Sequence, residues 1–219
     1  MKKVLLIIIA SLFSFASANA VEISVGIGYN NAVFAAEGKE DGYDEGGTLS
    51  ETTVEYGAFD DSYGSIYLEA GNEMGSIGIS YSETIQTPNN VNEANFPGTG
   101  NATSRVSADF ENFVSLYGIL KIPFAGLYAK AGISQADVIV NETQRSGNTY
   151  PDTDINGYIV GLGIQHNADN GFGVRAEIQG HTFDDVSVNN GVATTGNHNK
   201  ITISEMIGLT GQISILKTF

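Results

Sequence analysis

The segment Ile207 to Phe219 alternates by residue. Ile207, Leu209, Ile213, Ile215 and Phe219 share one face, and Gly208, Thr210, Gln212, Ser214 and Thr218 share the other. A period of two is a β-strand with one apolar and one polar side. Terminal residues ordinarily fray. A strand that keeps its pattern up to Phe219 needs a partner for its backbone, and that requirement shapes everything the rest of the chain can do.

The same alternation recurs seven times. Val21, Ile23, Val25, Ile27 and Tyr29 oppose Glu22, Ser24, Gly26, Gly28 and Asn30. Ile66, Leu68 and Ala70 oppose Tyr67 and Glu69, and Ile77, Ile79 and Tyr81 oppose Ser76, Gly78, Ser80 and Ser82. Val114, Leu116 and Leu120 oppose Ser115, Tyr117 and Lys121; Leu127, Ala129, Ala131 and Ile133 oppose Tyr128, Lys130, Gly132 and Ser134. Tyr158, Val160, Leu162 and Ile164 oppose Gly157, Gly161, Gly163 and Gln165. Phe172, Val174, Ala176 and Ile178 oppose Gly173, Arg175, Glu177, Gln179 and His181.

The connections alternate too. Short ones fall at Asn72 to Gly75, Ile122 to Ala125 and Asn167 to Gly171. Long polar ones are expected at about Glu37 to Asp61, Thr87 to Ser107, Asn141 to Asp154 and Asp184 to Asn199. Eight amphipathic strands with short turns at one end and four long loops at the other have the asymmetry of an outer-membrane barrel.

Lys2 and Lys3 followed by the apolar run Val4 to Phe15 and by Ala18-Asn19-Ala20 predict a signal peptide over residues 1–20, cleaved after Ala20. The apolar run is shorter than the ~20 residues of a spanning helix. Residues 21–219 then form one barrel domain. There is no Cys, so no disulfide framework and no thiolate metal site. With the two leader lysines removed, eight basic residues face 25 acidic ones, a net charge of −17, which excludes nucleic acid as a partner.

Alternation does not say which face is outside. A soluble lipocalin-like barrel would point its apolar residues inward. The polar faces here are mostly Gly, Ser and Tyr, which suit a crowded interior better than a wet exterior. Tyr29, Tyr81 and Tyr158 toward the long loops, and Phe172 and Phe219 toward the short turns, are placed as two interfacial girdles. Closure removes the sheet edges that lipid cannot satisfy. The expected fold is therefore all-β: a closed antiparallel eight-stranded transmembrane barrel, up-and-down, with short periplasmic turns, four long extracellular loops and a narrow polar lumen.

With its eight strands, its terminal Phe219, "LYAKAG" in the fifth strand and "GVRAEIQ" in the seventh, the chain resembles the small OmpA-type outer-membrane barrels of Gram-negative bacteria over nearly all of residues 21–219. The resemblance implies a bacterial outer-membrane location, a monomer in lipid, and periplasmic chaperones and a barrel-assembly machinery as partners in biogenesis. It also implies that Ile213, Ile215 and Phe219 act as an insertion signal. Lys217 departs from the pattern, standing where an outward aromatic is common, although an interfacial Lys can snorkel.

Four inward charges, Glu69, Lys130, Arg175 and Glu177, lie a few residues from the short-turn ends of their strands. Unpaired charges in a narrow interior are costly, so they are expected in one layer. The resemblance implies a plug or gate there; a static structural network is the alternative. In the first loop Glu37, Glu40, Asp41, Asp44 and Glu45 could meet calcium, but their spacing is not an EF-hand and a solvated loop accounts for them. His181, read as inward and beside Asp184 and Asp185, is the nearest approach to a hydrolytic pairing, with His166 in a turn and His198 in the fourth loop. The residues point to no metal, cofactor or catalytic step. The expected role is structural or surface-interactive, with a narrow porin-like channel as an added capacity. A loop-based adhesin or receptor is the alternative, and a lipid-modifying enzyme a third class.

Overall fold

The computed structural model describes residues 21–44, 46–87, 90–95, 101–143, 150–190 and 198–219. The expected signal peptide at 1–20, Glu45 of the acidic loop, and parts of the other three long connections lie outside the described residues.

Among the described residues ten strands are present: β1 (Glu22–Tyr43), β2 (Leu49–Gly71), β3 (Gly75–Gln86), β4 (Asn90–Asn95), β5 (Asn101–Lys121), β6 (Leu127–Thr143), β7 (Thr153–Asn167), β8 (Phe172–Phe183), β9 (Val186–Asn189) and β10 (His198–Thr218). Eight of them close a ring in the order β1-β2-β3-β5-β6-β7-β8-β10, with β10 returning to β1. Every neighbouring pair is antiparallel. β4 pairs only with β5 and β9 only with β10, at the long-loop end. The fold is a closed up-and-down barrel of eight strands. The last residue is held in it: Phe219 N–H donates to Ile23 O at 2.9 Å and Ile23 N–H to Phe219 O at 3.4 Å.

The apolar face is the outer one. Ile27, Leu162 and Ile213 are 62%, 66% and 69% exposed, while Asn30, Ser65, Arg175 and Glu177 on the opposite faces are buried. A continuous apolar exterior on a closed ladder is a lipid-facing surface. Tyr29 and Tyr158 cap it on one side and Phe172 and Phe219 on the other, all more than half exposed. At the short-turn end, Asn72 Oδ1 accepts the N–H groups of Met74 (2.9 Å) and Gly75 (3.3 Å). Gly126 and Gly171 take positive φ (73° and 81°) in the other two turns, a conformation glycine adopts without steric cost.

Two expectations need correction. The first is the long loops. The region Glu37 to Asp61 is a hairpin: β1 runs to Tyr43, β2 starts at Leu49, and they stay paired up to Tyr43↔Leu49. The other three long connections also begin or end as strand. Turn-rich composition did not stop pairing, because each segment had a neighbouring strand to continue on.

The second correction is the lumen, which is polar only in its lower half. Above the tyrosine level the amphipathicity inverts. Phe34, Ile85, Phe110, Phe113, Val138, Ile155, Phe183 and Met206 are buried inside. Asn31, Asp60, Glu83, Asn156 and Asp154 are exposed at that height. Water, not lipid, surrounds the wall there, so the ordinary soluble pattern returns. Two bulges with non-glycine residues in the left-handed region adjust the wall: Asn112 (φ 52°) on β5 and Glu205 (φ 53°) on β10. Ladder registers shift beside them, between Glu111 and Val114 and between Ala35 and Glu37.

Candidate functional site: the stacked interior

Near the short-turn end, β2, β6 and β8 bring the four inward charges together. Arg175 holds Glu69 through two parallel bonds, Nη1 to Oε1 at 2.7 Å and Nη2 to Oε2 at 2.8 Å. Lys130 Nζ donates to Glu177 Oε1 at 2.9 Å. All four side chains are at most 5% exposed. Two positive and two negative charges leave the layer neutral, which a buried cluster requires.

Further polar groups bond both carboxylates and the guanidinium. Tyr117 Oη donates to Glu69 Oε1 at 2.9 Å, and Tyr128 Oη donates to Glu177 Oε2. Gln165 Oε1 accepts from Arg175 Nε (3.1 Å) and Nη2 (2.6 Å). Lys130 Nζ also lies 4.0 Å from the centroid of the Tyr117 ring, within cation–π range.

Glycine makes this density possible. Tyr67 lies across Gly26, Tyr117 across Gly78 and Tyr128 across Gly163, each so close that a Cβ on the glycine would overlap the ring. The glycines of the inward faces are thus seats for three tyrosines; Tyr117 and Tyr128 bring hydroxyls to the carboxylates, and the Tyr67 hydroxyl lies 3.1 Å from Ser214 Oγ.

Below the layer a cavity of about 270 Å³ opens at the short-turn end, with Glu69, Arg175, Gln165 and Tyr128 among its walls. Above it is an amide layer. Gln212 Nε2 donates to Asn30 Oδ1 (2.8 Å), and Asn30 Nδ2 donates to Ser65 Oγ (3.0 Å). Then come the rings. Phe34 stacks on Phe59 at 5.3 Å, and Phe34, Phe113 and Phe183 surround His181 at 6.1 to 6.2 Å. Phe183 on β8 was not singled out from its sequence, nor was any other phenylalanine of this layer; of its rings only His181 was. The usable signal was the inward parity of Phe34 with Asn30.

His181 does not meet Asp184 or Asp185 through either ring nitrogen. Its Nε2 is 3.1 Å from Thr210 Oγ1, and its Nδ1 has no hydrogen-bond partner. A triad needs a carboxylate or equivalent group on that second nitrogen, so no hydrolytic pairing forms, and His181 is a buried residue of the lumen. His166 sits near the end of β7 rather than in a turn, and His198 starts β10, stacked 4.6 Å from Tyr43.

Three carboxylates of the first hairpin are engaged locally. Asp41 accepts from Thr52 Oγ1 (2.6 Å) and Lys39 Nζ (2.9 Å). Glu40 accepts from Asn199 Nδ2 (2.6 Å), and Asp44 accepts the N–H groups of Gly46 and Thr48. Among the described residues no three potential ligands converge on a metal position.

Ile213, Ile215 and Phe219 lie on the outer band, 69%, 55% and 75% exposed. Lys217, on the same outer face, donates to Asn170 O and places Nζ 4.8 Å from the Phe172 ring and 5.7 Å from the Phe219 ring. It bridges the two aromatics of the lower girdle.

No protein-family model matches the chain, and no curated protein does. Its backbone is similar to solved barrels at low identity. The outer membrane protein OprG from Pseudomonas aeruginosa is 11% identical over 89% of this chain and 95% of that one, with a TM-score of 0.49. Ail, the attachment invasion locus protein of Yersinia pestis, is 11% identical over 87% and 99%, at 0.40. The outer membrane protease OmpT from Escherichia coli is 9% identical over 93% and 99%, at 0.44. The barrel assignment rests on the closed ladder and the apolar exterior, not on these likenesses.

Proposed function

We propose that this protein is a bacterial outer-membrane barrel with a closed lumen, and that its working part is the strand-built collar at the long-loop end. The role is structural or surface-interactive, with no catalytic step. The observation that supports it is the double seal. An ion-paired layer and an aromatic layer, separated by an amide layer, occupy the bore at different heights. Solutes would have to displace both. In this reading the short turns face the periplasm, the collar faces outward, and chaperones and the assembly machinery serve only biogenesis.

The test is conductance. Residues 21–219 would be refolded in detergent, verified by a folded-band shift on an unheated gel, and placed in a planar bilayer. A silent barrel supports the closed reading. A second reading, a narrow gated pore, draws on the cavity that reaches the ion layer from the short-turn side. It expects discrete openings whose frequency changes in Glu69→Gln. Such openings in the unaltered protein would overturn the closed reading.

A further inference from the structure

β2 is paired with β1 along its whole length, from Leu49 to Gly71. On its other edge it pairs with β3 only from Ile66 to Gly71. A single side-chain bond continues the register: Gln86 N–H donates to Asp61 Oδ2 at 2.8 Å. Beyond it, from Leu49 to Asp60, that edge has no ladder partner among the described residues. Leu49 to Ala58 are exposed at every position, so both faces are open to solvent as well as the edge among the described residues.

Such an edge is a template for another strand, and proteins usually blunt it with Lys, Pro, bulges or shortness. This one is neither short nor blunted by Lys or Pro, and the irregularity in its ladder with β1 is confined to the far end, at Ser50 between Leu49 and Glu51. It is twelve residues long and contains no Lys, Arg or Pro between Leu49 and Asp60. It is rich in residues that favour strands: Thr52, Thr53, Val54 and Tyr56.

Charge selects the occupant. Alternation puts Glu51, Thr53 and Glu55 on one face and Thr52, Val54 and Tyr56 on the other. Asp60 and Asp61 follow on β2, and Glu37 and Glu40 are on the adjoining β1. The nearby Lys39 is committed to Asp41. A second copy of this chain would bring carboxylates to carboxylates. A cationic segment would not.

We propose that the outer half of β2 is a docking edge for an extended segment of another polypeptide, added as a further strand alongside Leu49 to Asp60. Its chemistry is cationic on one face, opposite Glu51 and Glu55, and apolar on the other, opposite Val54 and Tyr56. Main-chain bonds supply attachment and the two faces supply selection. The site deepens the surface-interaction reading and rests on the collar being the working part.

The test uses residues 21–219 refolded in detergent micelles and a fluorescent nine-residue peptide of alternating Lys and Val, followed by anisotropy. Saturable binding is expected. The same peptide with every second backbone nitrogen methylated keeps its charge and loses its ladder; its affinity should fall more than tenfold. Glu51→Gln with Glu55→Gln should weaken binding about fivefold. Val54→Lys should weaken it too, and all variants should keep the folded gel shift because these positions are exposed. No saturable binding overturns the proposal. So does equal binding of the methylated peptide, which would mean attraction to an acidic surface only, or equal binding of a Glu/Val peptide or of a second copy of the protein. The readout is independent of conductance: a conducting barrel that binds would sink the closed lumen and leave the docking edge standing.

Discussion

Arg175 on β8 and Glu69 on β2 meet fork to fork across the barrel, at 2.7 and 2.8 Å. They are 106 residues apart in the chain, and neither strand pairs with the other. Removing one partner strands a buried charge. Glu69→Ala should therefore destabilise the barrel by about 3–5 kcal/mol. Glu69→Ala combined with Arg175→Met, which leaves no lone charge, should recover most of it. The measurement is the temperature at which the folded gel band disappears, compared across the single and double variants.

The seating of tyrosines on glycines makes a second prediction. Gly163→Ala puts a methyl group into the Tyr128 ring and pushes its hydroxyl off Glu177, at a cost of about 1–3 kcal/mol. Gly118→Ala is the control: nothing lies within 4 Å of its Cβ, on the exposed side of β5. It should be neutral or slightly stabilising, read by the same thermal gel assay or by denaturant titration.

The collar should loosen in acid before the barrel does. Thr52 and Lys39 donate to Asp41 and hold its carboxyl below the ordinary value of 3.8. Asp41 in turn holds the Lys39 ammonium above 10.5. A depressed carboxyl contributes stability that is fully present above the unfolded value and is lost as pH falls through the folded one. The hairpin tip should thus keep its order at pH 5 and lose it below about pH 4. Amide exchange at Lys39 to Tyr43, followed from pH 6 to 3, checks this. Asp41→Asn should remove the step and leave hairpin exchange fast at every pH.

The terminal aromatic separates folding from assembly. Deleting Phe219 removes two main-chain bonds to Ile23 and a ring exposed to lipid. Refolding in detergent should proceed with a small loss of stability, about 1 kcal/mol. If Phe219 with Ile213 and Ile215 is an insertion signal, the folded protein recovered from cell membranes should fall far more than that loss explains. Equal recovery of the truncated and full chains would remove the signal role.

The inward or outward side of each residue in the lipid-facing half was legible in the sequence. Glu69, Lys130, Arg175 and Glu177 have inward parity, and their small or aromatic neighbours mark a crowded bore. Which charge takes which was not legible. The pairing depends on strand order around the ring, which brings β8 opposite β2, and on Tyr117 and Tyr128 reaching in from β5 and β6. The aromatic layer was also hidden. Phe34 continues the inward parity of Asn30, but alternation has the same period whichever face is wet.

What the sequence determined by itself is local and periodic: the strands, their two faces, the short turns and a final strand that demands a partner. These follow from side-chain alternation and turn chemistry, which act over a few residues. The tertiary structure decided what depends on distance and surroundings. It carried β1 and β2 past the membrane as a paired hairpin, and it placed bulges at Asn112, a residue type that tolerates positive φ, and at Glu205, one that does not favour it. Above the tyrosines it exchanged lipid for water, so the same alternating wall turns its apolar side inward. It also left one edge of β2 without a neighbour, because β3 ends at Gln86 while β2 continues up to Leu49.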